Sequence, residues 1–401
     1  MRRVLNTESF DVMVIGGGPS GLFTSSLLSK KGIKTVLIDK ESEIGKDVVC
    51  SGVISKEAFS RYDLPENAIV GTLKDAELYS PGGIQIHYSH PEETVVVVDR
   101  HKFDGELGKS AAQNGAHIML GSRVSSLSVK EDFVEAEVKT PDGLKIINSK
   151  IAVIATGVSF NLQASLGMGR PKKIIKGIQV EVQANDVNKL TVYWGNKVSN
   201  GYFGWAIPLH DGRTRIGVMT DGNAQEGLNH ILKEVGEYTN ICNDSSRIKR
   251  RGISFGTIDK SYSDRIVAVG EAAGLVKTTT GGGIYYGLIS AEIASNVIQE
   301  AFQKGDFGAR FLSKYEKLWK NELGNEIKLG KYFHKFYSKL SDNSIDTLFD
   351  AAKKDGLLPF ISEKGKFDWH KNAVLKILKS PNLRKALLWE SINNAREKIA
   401  L

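Results

Sequence analysis

The chain reads as an α/β protein with a Rossmann-like dinucleotide-binding domain, an inserted antiparallel β-sheet domain and a C-terminal helical region. Three observations predict this. Phe10-Asp-Val-Met-Val-Ile15 is a short apolar run that stops at Gly16-Gly-Gly-Pro-Ser-Gly21. Far downstream, Arg265-Ile-Val-Ala-Val-Gly-Glu-Ala-Ala-Gly274 and Thr280-Gly-Gly-Gly-Ile-Tyr-Tyr286 repeat the order of strand, small-residue turn and helix. Between them lie short runs punctuated by Pro81-Gly-Gly83 and Asp211-Gly212, which are hairpin signals.

The elements follow in order. Residues 10–15 are almost wholly apolar, as a parallel strand buried on both faces must be. Residues 22–30 read as a helix and 35–39 as the second strand, a β-α-β unit of dinucleotide-fold size. A helix over 101–114 and a strand over 117–120 come next. Lys150-Ile-Ala-Val-Ile-Ala-Thr-Gly157 repeats the apolar strand ending in glycine. Residues 76–79 and 84–88 form a hairpin across Pro81–Gly83, and 176–184, 190–195, 201–209 and 214–220 read as successive strands. From Ile284 the pattern turns helical: Ile284, Leu288, Ile293, Val297 and Ile298 recur at roughly helical spacing. The tail from Tyr315 has amphipathic stretches broken at Pro359 and Pro381.

Composition sets outer limits. Hydrophobic residues at 41% and charged residues at 25% suit a soluble globular protein. No apolar run reaches the roughly 18 residues of a membrane-spanning helix. The first ten residues lack the apolar core of a secretory signal. Cys50 and Cys242 give neither a disulfide framework nor metal spacing, and His87 and His90 have no cysteine nearby. A cytoplasmic setting without a metal centre is expected. Residues 301–401 hold 20 Lys and Arg against 12 Asp and Glu, which leaves residues 1–300 balanced at 34 of each. This basic quarter suits an anionic membrane surface or a phosphate-headed substrate, and a solvated lysine-rich face is the alternative. Nucleic acid is not an expected partner: no aromatic–arginine sheet pattern or recognition-helix signature occurs.

The glycines carry the chemistry. Gly16 permits the tight turn, Gly18 lets backbone approach a pyrophosphate, and Gly21 lets the helix pack on the sheet. Asp39 ends the second strand, placed for a ribose. This predicts an adenine dinucleotide without separating NAD from FAD. The helix after Gly283 begins with unpaired N–H groups that favour negative charge.

The separation comes from linked motifs. Gly16 to Gly21, Val49-Cys50-Ser51-Gly52, Asp99-Arg100-His-Lys-Phe103-Asp104-Gly-Glu-Leu107, Tyr202-Phe203-Gly204-Trp205-Ala-Ile-Pro208, Gly270-Glu-Ala-Ala-Gly274 and Thr280 to Tyr286 occur in one order. Together they resemble the geranylgeranyl reductase family, within the flavoproteins of para-hydroxybenzoate hydroxylase-type fold. The resemblance spans roughly residues 10–300. It implies FAD, contacted by Gly16, Gly18, Ser20, Gly21, Asp39, Lys40, Cys50, Ser51, Val53, Arg100, Val124, Gly270, Glu271, Gly282, Gly283 and Ile284. It implies Phe203, Trp205 and Tyr285 as substrate contacts. The implied domains are a discontinuous FAD-binding unit (1–75, 98–160 and 262–305), a substrate sheet (76–97 and 161–261) and a basic helical region (306–401). The chain departs from the pattern at Asp39 (usually Glu), Ser51 (Gly), Glu271 (Asp) and Thr278 (often Pro).

The implied activity is hydride transfer from reduced flavin to carbon–carbon double bonds of a geranylgeranyl chain on a lipid. Cys50 is the candidate proton donor or gate, with a small packing residue as its alternative. Ordinary core aromatics are the alternative for Phe203 and Trp205, and a surface salt bridge is that for Arg100. NAD(P)H or a ferredoxin-type protein is the expected electron donor, and anionic membrane an expected peripheral contact through Val374, Leu375, Leu378, Leu387, Leu388 and Trp389, flanked by Lys371, Lys376, Lys379, Arg384 and Lys385. The competing reading is an FAD-dependent monooxygenase or halogenase, with Lys74 as the catalytic lysine. A lipid-binding flavoprotein without turnover is the third.

Overall fold

The structure, a computed structural model, describes residues 7–89, 95–184, 187–238, 248–354, 366–379 and 381. His90, Cys242, Pro359, Arg384, Lys385, Leu387, Leu388 and Trp389 lie outside the described residues, as does the side chain of Leu378.

Three sheets organise the fold. The largest runs Tyr262–Ser263, Ile266–Ala268, Gly143–Ile154, Thr7–Ile15, Thr35–Ile38 and His117–Met119. Val134–Thr140 pairs antiparallel with Gly143–Ile154, and Arg123–Val129 pairs with Val134–Thr140. The centre is parallel: Val12 lies between Thr35 and Ile151, and Ala152 lies opposite Ile266. Val12, Met13 and Val14 are fully buried, as their unbroken apolar run requires. Strands from the start, middle and late parts of the chain are thus direct neighbours.

The second sheet has seven strands: Lys249–Phe255, Lys173–Gln183, Arg213–Thr220, Phe203–Pro208, Leu190–Tyr193, Asp75–Tyr79 and Gln85–Ser89. All its pairings are antiparallel except that of Leu190–Tyr193 with Asp75–Tyr79. Helix Ala224–Tyr238, for which no pattern is noted above, covers one face. Its Leu228, Ile231 and Val235 pack with Ile178, Val180, Ile216 and Val218.

A three-stranded sheet (Val53–Ser55, Val95–Val98 and Ile69–Leu73) joins the two. The four valines alternate as a strand must. Val96 and Val98 enter the core around the first sheet, while Val95 and Val97 pack with Ile207 and Leu209 of the second sheet.

Helix Pro19–Lys30 packs against Arg100–Gln113 and Ile284–Lys304. The crossing with Ile284–Lys304 depends on small residues. A Cβ on Gly270 or on Gly287 would collide with Ser20 Oγ, and one on Gly21 would collide with Gly16 O. Helix Ala309–Tyr337 then buries Leu312, Tyr315, Trp319, Leu323 and Ile327, a stripe at helical spacing. Tyr315 Oη donates to Ala268 O at 2.8 Å and Trp319 Nε1 to Ser261 Oγ at 2.8 Å, so this helix is fixed to the first sheet's edge. Among the described residues no helix is long and apolar enough to cross a membrane.

Gly21→Ala is expected to destabilise the protein by about 1–3 kcal/mol, the usual cost of forcing atoms into a packed crossing. An unchanged urea midpoint would show that helix and turn can separate freely.

Candidate active site

A cavity of about 1030 Å³ is lined by residues of both large sheets. Single-ligand pockets usually hold roughly 300–1,000 Å³, so this cavity is large enough for a ligand the size of a dinucleotide. The structure brings almost all of the expected site residues to its wall. Gly16, Gly18, Ser20, Asp39, Lys40, Cys50, Ser51, Val53, Arg100, Val124, Glu271, Gly282, Gly283, Ile284, Phe203, Trp205 and Tyr285 all line it. Gly21 and Gly270 do not. Gly270 sits at the helix crossing against Ser20 Oγ, and Gly21 packs on the turn at Gly16 O and on Ala155.

At the nucleotide end, Gly16 has φ 117°, and a Cβ there would collide with Ala155 O. Gly18 is the opposite case: a Cβ would meet nothing within 4 Å, so its cavity side is an open cradle. Helix Pro19–Lys30 starts at Gly18 with no side-chain cap, which leaves N–H groups for an anion. Asp39 accepts hydrogen bonds from Gly17 N and, at 2.7 Å, from Glu41 N. Its oxygens keep lone pairs for a ribose. Lys40 is exposed and ion-paired to Glu41 at 2.9 Å.

In the middle, Arg100 makes a buried bidentate pair with Asp104, Nε to Oδ1 at 3.0 Å and Nη2 to Oδ2 at 2.7 Å. The alternative expected for Arg100, a surface salt bridge, differs from the structure in one respect: the bridge exists but is buried. Burial works to lower the Arg100 pKa, yet Asp104 and the adjacent Cys50 thiol outweigh it and raise it. Cys50 Sγ also accepts from Gly52 N at 3.4 Å. Arg215, which the sequence reading missed, reaches over from the second sheet. It donates to Ser51 O at 2.6 Å while Glu181 holds its other face at 2.9 Å. Gly52 must be glycine here: its φ is 74° and a Cβ would lie 2.7 Å from Arg215 Nη1. Glu271 accepts from Arg251 Nη2 at 2.6 Å and from Ser254 N at 3.1 Å, both on strand Lys249–Phe255.

Helix Ile284–Lys304 opens at Gly283, again without a side-chain cap. Lys277 N donates to Gly282 O at 2.9 Å and Gly281 N to Lys277 O at 2.8 Å, which closes the loop before it. Tyr285 lines the cavity, but its hydroxyl donates away to Glu57 at 3.0 Å, and burial raises its pKa to about 12. Tyr286 is buried and donates to Asp368 O at 3.0 Å.

The far end is aromatic. Phe203 lies between Trp194 and Trp205, with ring centroids 6.1 Å from each, and Phe349 lies 5.6 Å from Trp194. Trp205 lies across Gly217, where a Cβ would strike its ring. The Tyr202 and His334 rings touch at a tilt, with centroids 4.3 Å apart. Trp194, His334 and Phe349 carry no motif, and only the fold collects them. Val374 is buried and lines the cavity, so helix Lys371–Lys379 turns that residue inward.

Open backbone at Gly18, two uncapped helix starts and an acid at the second strand fit a dinucleotide's diphosphate and ribose. Fold and site define a dinucleotide-binding protein built on two large sheets. The chain belongs to the FAD binding domain family, whose model matches residues 9–317. FAD is its cofactor. It is 29% identical to digeranylgeranylglycerophospholipid reductase of Methanocaldococcus jannaschii, over 87% of this chain and 92% of that one. A second such reductase, from Methanothermobacter thermautotrophicus, is 28% identical over 86% and 92%. The fold matches a geranylgeranyl bacteriochlorophyll reductase-like protein of Thermoplasma acidophilum with TM-score 0.84 and 24% identity, covering 95% of this chain and 99% of that one. A myxobacterial chondrochloren halogenase matches at TM-score 0.68 and 15% identity, covering 95% and 97%.

Two histidines, His334 buried and His370 half-buried, set an acid limit. Burial, then the charge of Lys173, lowers His334 to about 4, and burial, then Lys277, lowers His370 to about 4. The unfolded chain binds these protons near the ordinary 6.5, so both contributions are complete above that pH and decline as pH falls toward 4. Melting temperature is expected to drop across this window, with a shallower slope in His370→Gln. An equal slope in the variant would exclude His370 as a source.

Proposed function

We propose that the protein reduces carbon–carbon double bonds in the isoprenoid chain of a lipid, using FAD. The observation that carries this reading is the continuity of the cavity. It runs from the glycine cradle and Asp39, past Cys50 and the triple glycine, into an aromatic chamber walled by Phe203, Trp205, Trp194 and Phe349. The relatives named digeranylgeranylglycerophospholipid reductase support the same substrate class.

Gly16, Gly18 and Ser20 hold the diphosphate, and Asp39 the ribose, with Lys40 and Val124 beside them. Arg100, Ser51, Val53, Glu271 and residues 282–284 border the flavin half. When bound and reduced, FAD supplies a hydride to one alkene carbon. An isolated alkene has no carbonyl to polarise, so the protein's work is positioning and proton delivery. Phe203, Trp205 and Tyr285 hold the chain. Cys50 Sγ gives its proton to the second carbon, and the resulting thiolate faces the Arg100 guanidinium until water reprotonates it. The alkene gains two hydrogens in all.

NAD(P)H and a ferredoxin-type protein are the two electron donors that suit this scheme, since the sequence has one Gly-x-Gly-x-x-Gly dinucleotide fingerprint after a strand. Val374, buried against the cavity, favours helix Lys371–Lys379 as a cap over the lipid, with exposed Lys371 and Lys379 outside it as a contact for anionic membrane. The halogenase reading has less support: Lys74 is exposed and does not line the cavity.

Anaerobic reduction of the purified holoprotein, followed by a geranylgeranyl lipid, tests the reaction. Flavin reoxidation with lipid mass rising in hydrogen pairs is expected. Reoxidation by oxygen alone, with an oxygenated product, would make it a monooxygenase. Cys50→Ser is expected to lower turnover about 10²-fold or more at unchanged FAD affinity, the scale of a lost general acid. Full turnover in that variant removes Cys50 from the chemistry.

A further inference from the structure

We propose that Lys277 is the cation that stabilises negative charge on the reduced flavin, and that residues 366–370 hold it in place. This rests on the proposed reading that residues 282–284 border the flavin half. Lys277 and Asp368 are 5% and 3% exposed, and Nζ lies 2.6 Å from Oδ1. A buried ion pair rarely stabilises a fold more than an apolar pair of similar size, because both ions lose their hydration. Stability is therefore a weak reason for this pair.

Its surroundings point to the cofactor. A Cβ on Gly282 would lie 2.6 Å from Lys277 Cε and 3.2 Å from Nζ, with Thr280 Oγ1 next, so the cation and not the carboxylate abuts the triple glycine. Lys277, Asp368, Thr280 and Gly282 all line the cavity. Asp368 Oδ2 and Thr280 Oγ1 are buried without a hydrogen-bond partner among the described residues. The cluster is thus polar beyond what its own contacts use.

The holding segment is fixed on every side. His370 Nε2 donates to Phe367 O at 2.7 Å, so its Nδ1 accepts from Thr279 Oγ1 at 2.5 Å. Glu326 accepts from the backbone N–H groups of His370 and Lys371, both at 2.9 Å. Trp369 Nε1 donates to Glu57 at 2.7 Å, and the Phe367 ring lies 4.2 Å from Lys277 Nζ. These contacts fix the carboxylate and the ring against which the ammonium sits.

Two electrons and one proton convert oxidised FAD into its reduced anion. A fixed cation in a dry site lowers the energy of that anion far more than the same charge in water. Lys277 thereby raises the reduction potential, with Asp368 as the positioning residue.

The test is the flavin's two-electron midpoint potential in the full-length holoprotein, reduced anaerobically with xanthine and xanthine oxidase beside a reference dye. No lipid is needed. Asp368→Asn is expected above wild type, the double variant Lys277→Met with Asp368→Asn below it, and Lys277→Met lowest. The Lys277→Met shift should be at least tenfold in the oxidation equilibrium, about 30 mV for a two-electron couple. If a single variant releases FAD, the double variant decides alone, since it leaves no unpaired buried charge. Equal potentials in wild type and the double variant overturn the proposal. Loss of FAD from the double variant does too, because the pair is then a structural strut. The predicted order without any lipid reduction removes the proposed function and keeps this inference, whereas lipid reduction with a flat order does the reverse.

Discussion

The fold depends on one close crossing. Helix Pro19–Lys30 and helix Ile284–Lys304 meet where Ser20 Oγ fills the space left by Gly270 and Gly287. Gly270 N donates to Ser290 Oγ at 2.8 Å in the same place. Any larger residue would push the helices apart, and the two uncapped helix starts would no longer face one cavity. The glycines with the most obvious sequence signature thus do two different jobs. Gly18 is bare toward the cavity, while Gly21 and Gly270 are bare toward protein.

A second constraint couples the sheets. Arg215 holds the Cys50-to-Gly52 loop from the second sheet, and Glu271, beside the first sheet, reaches Arg251 and Ser254 of the second. Glu271 stands where the resembled family has aspartate. Its extra methylene carries the carboxylate to the facing strand, so the departure reads as a tie between sheets. The loop bearing Cys50 is positioned by both domains at once, and relative movement of the sheets would move the thiol. Valines 95–98 give the same coupling in apolar form, with alternate side chains entering different cores.

Much of this was legible in the chain. Period and punctuation exposed the β-α-β unit, the apolar strands and the late helices, because buried parallel strands and amphipathic helices leave distinct patterns. Asp39 and the two glycine motifs could be found because a phosphate-binding turn demands specific backbone at fixed spacing, whereas Arg100 was implied by the family resemblance. Helix Ala224–Tyr238 has its own stripe of Leu228, Ile231 and Val235, a signal that was present and went unread. Lys277 was flanked by a motif, yet nothing local distinguishes a buried lysine from a solvated one.

The sequence by itself determined the fold class, a dinucleotide site and the loops that surround it, since these follow from local backbone chemistry repeated in order, while FAD in particular was implied by the family resemblance. Only the tertiary structure decided which partner each charged group takes. Asp368 and His370 lie some ninety positions from Lys277 and Thr279, and Arg215 lies 164 from Ser51. Such pairings arise from packing between distant segments, where burial makes an unpaired charge costly and geometry selects the neighbour.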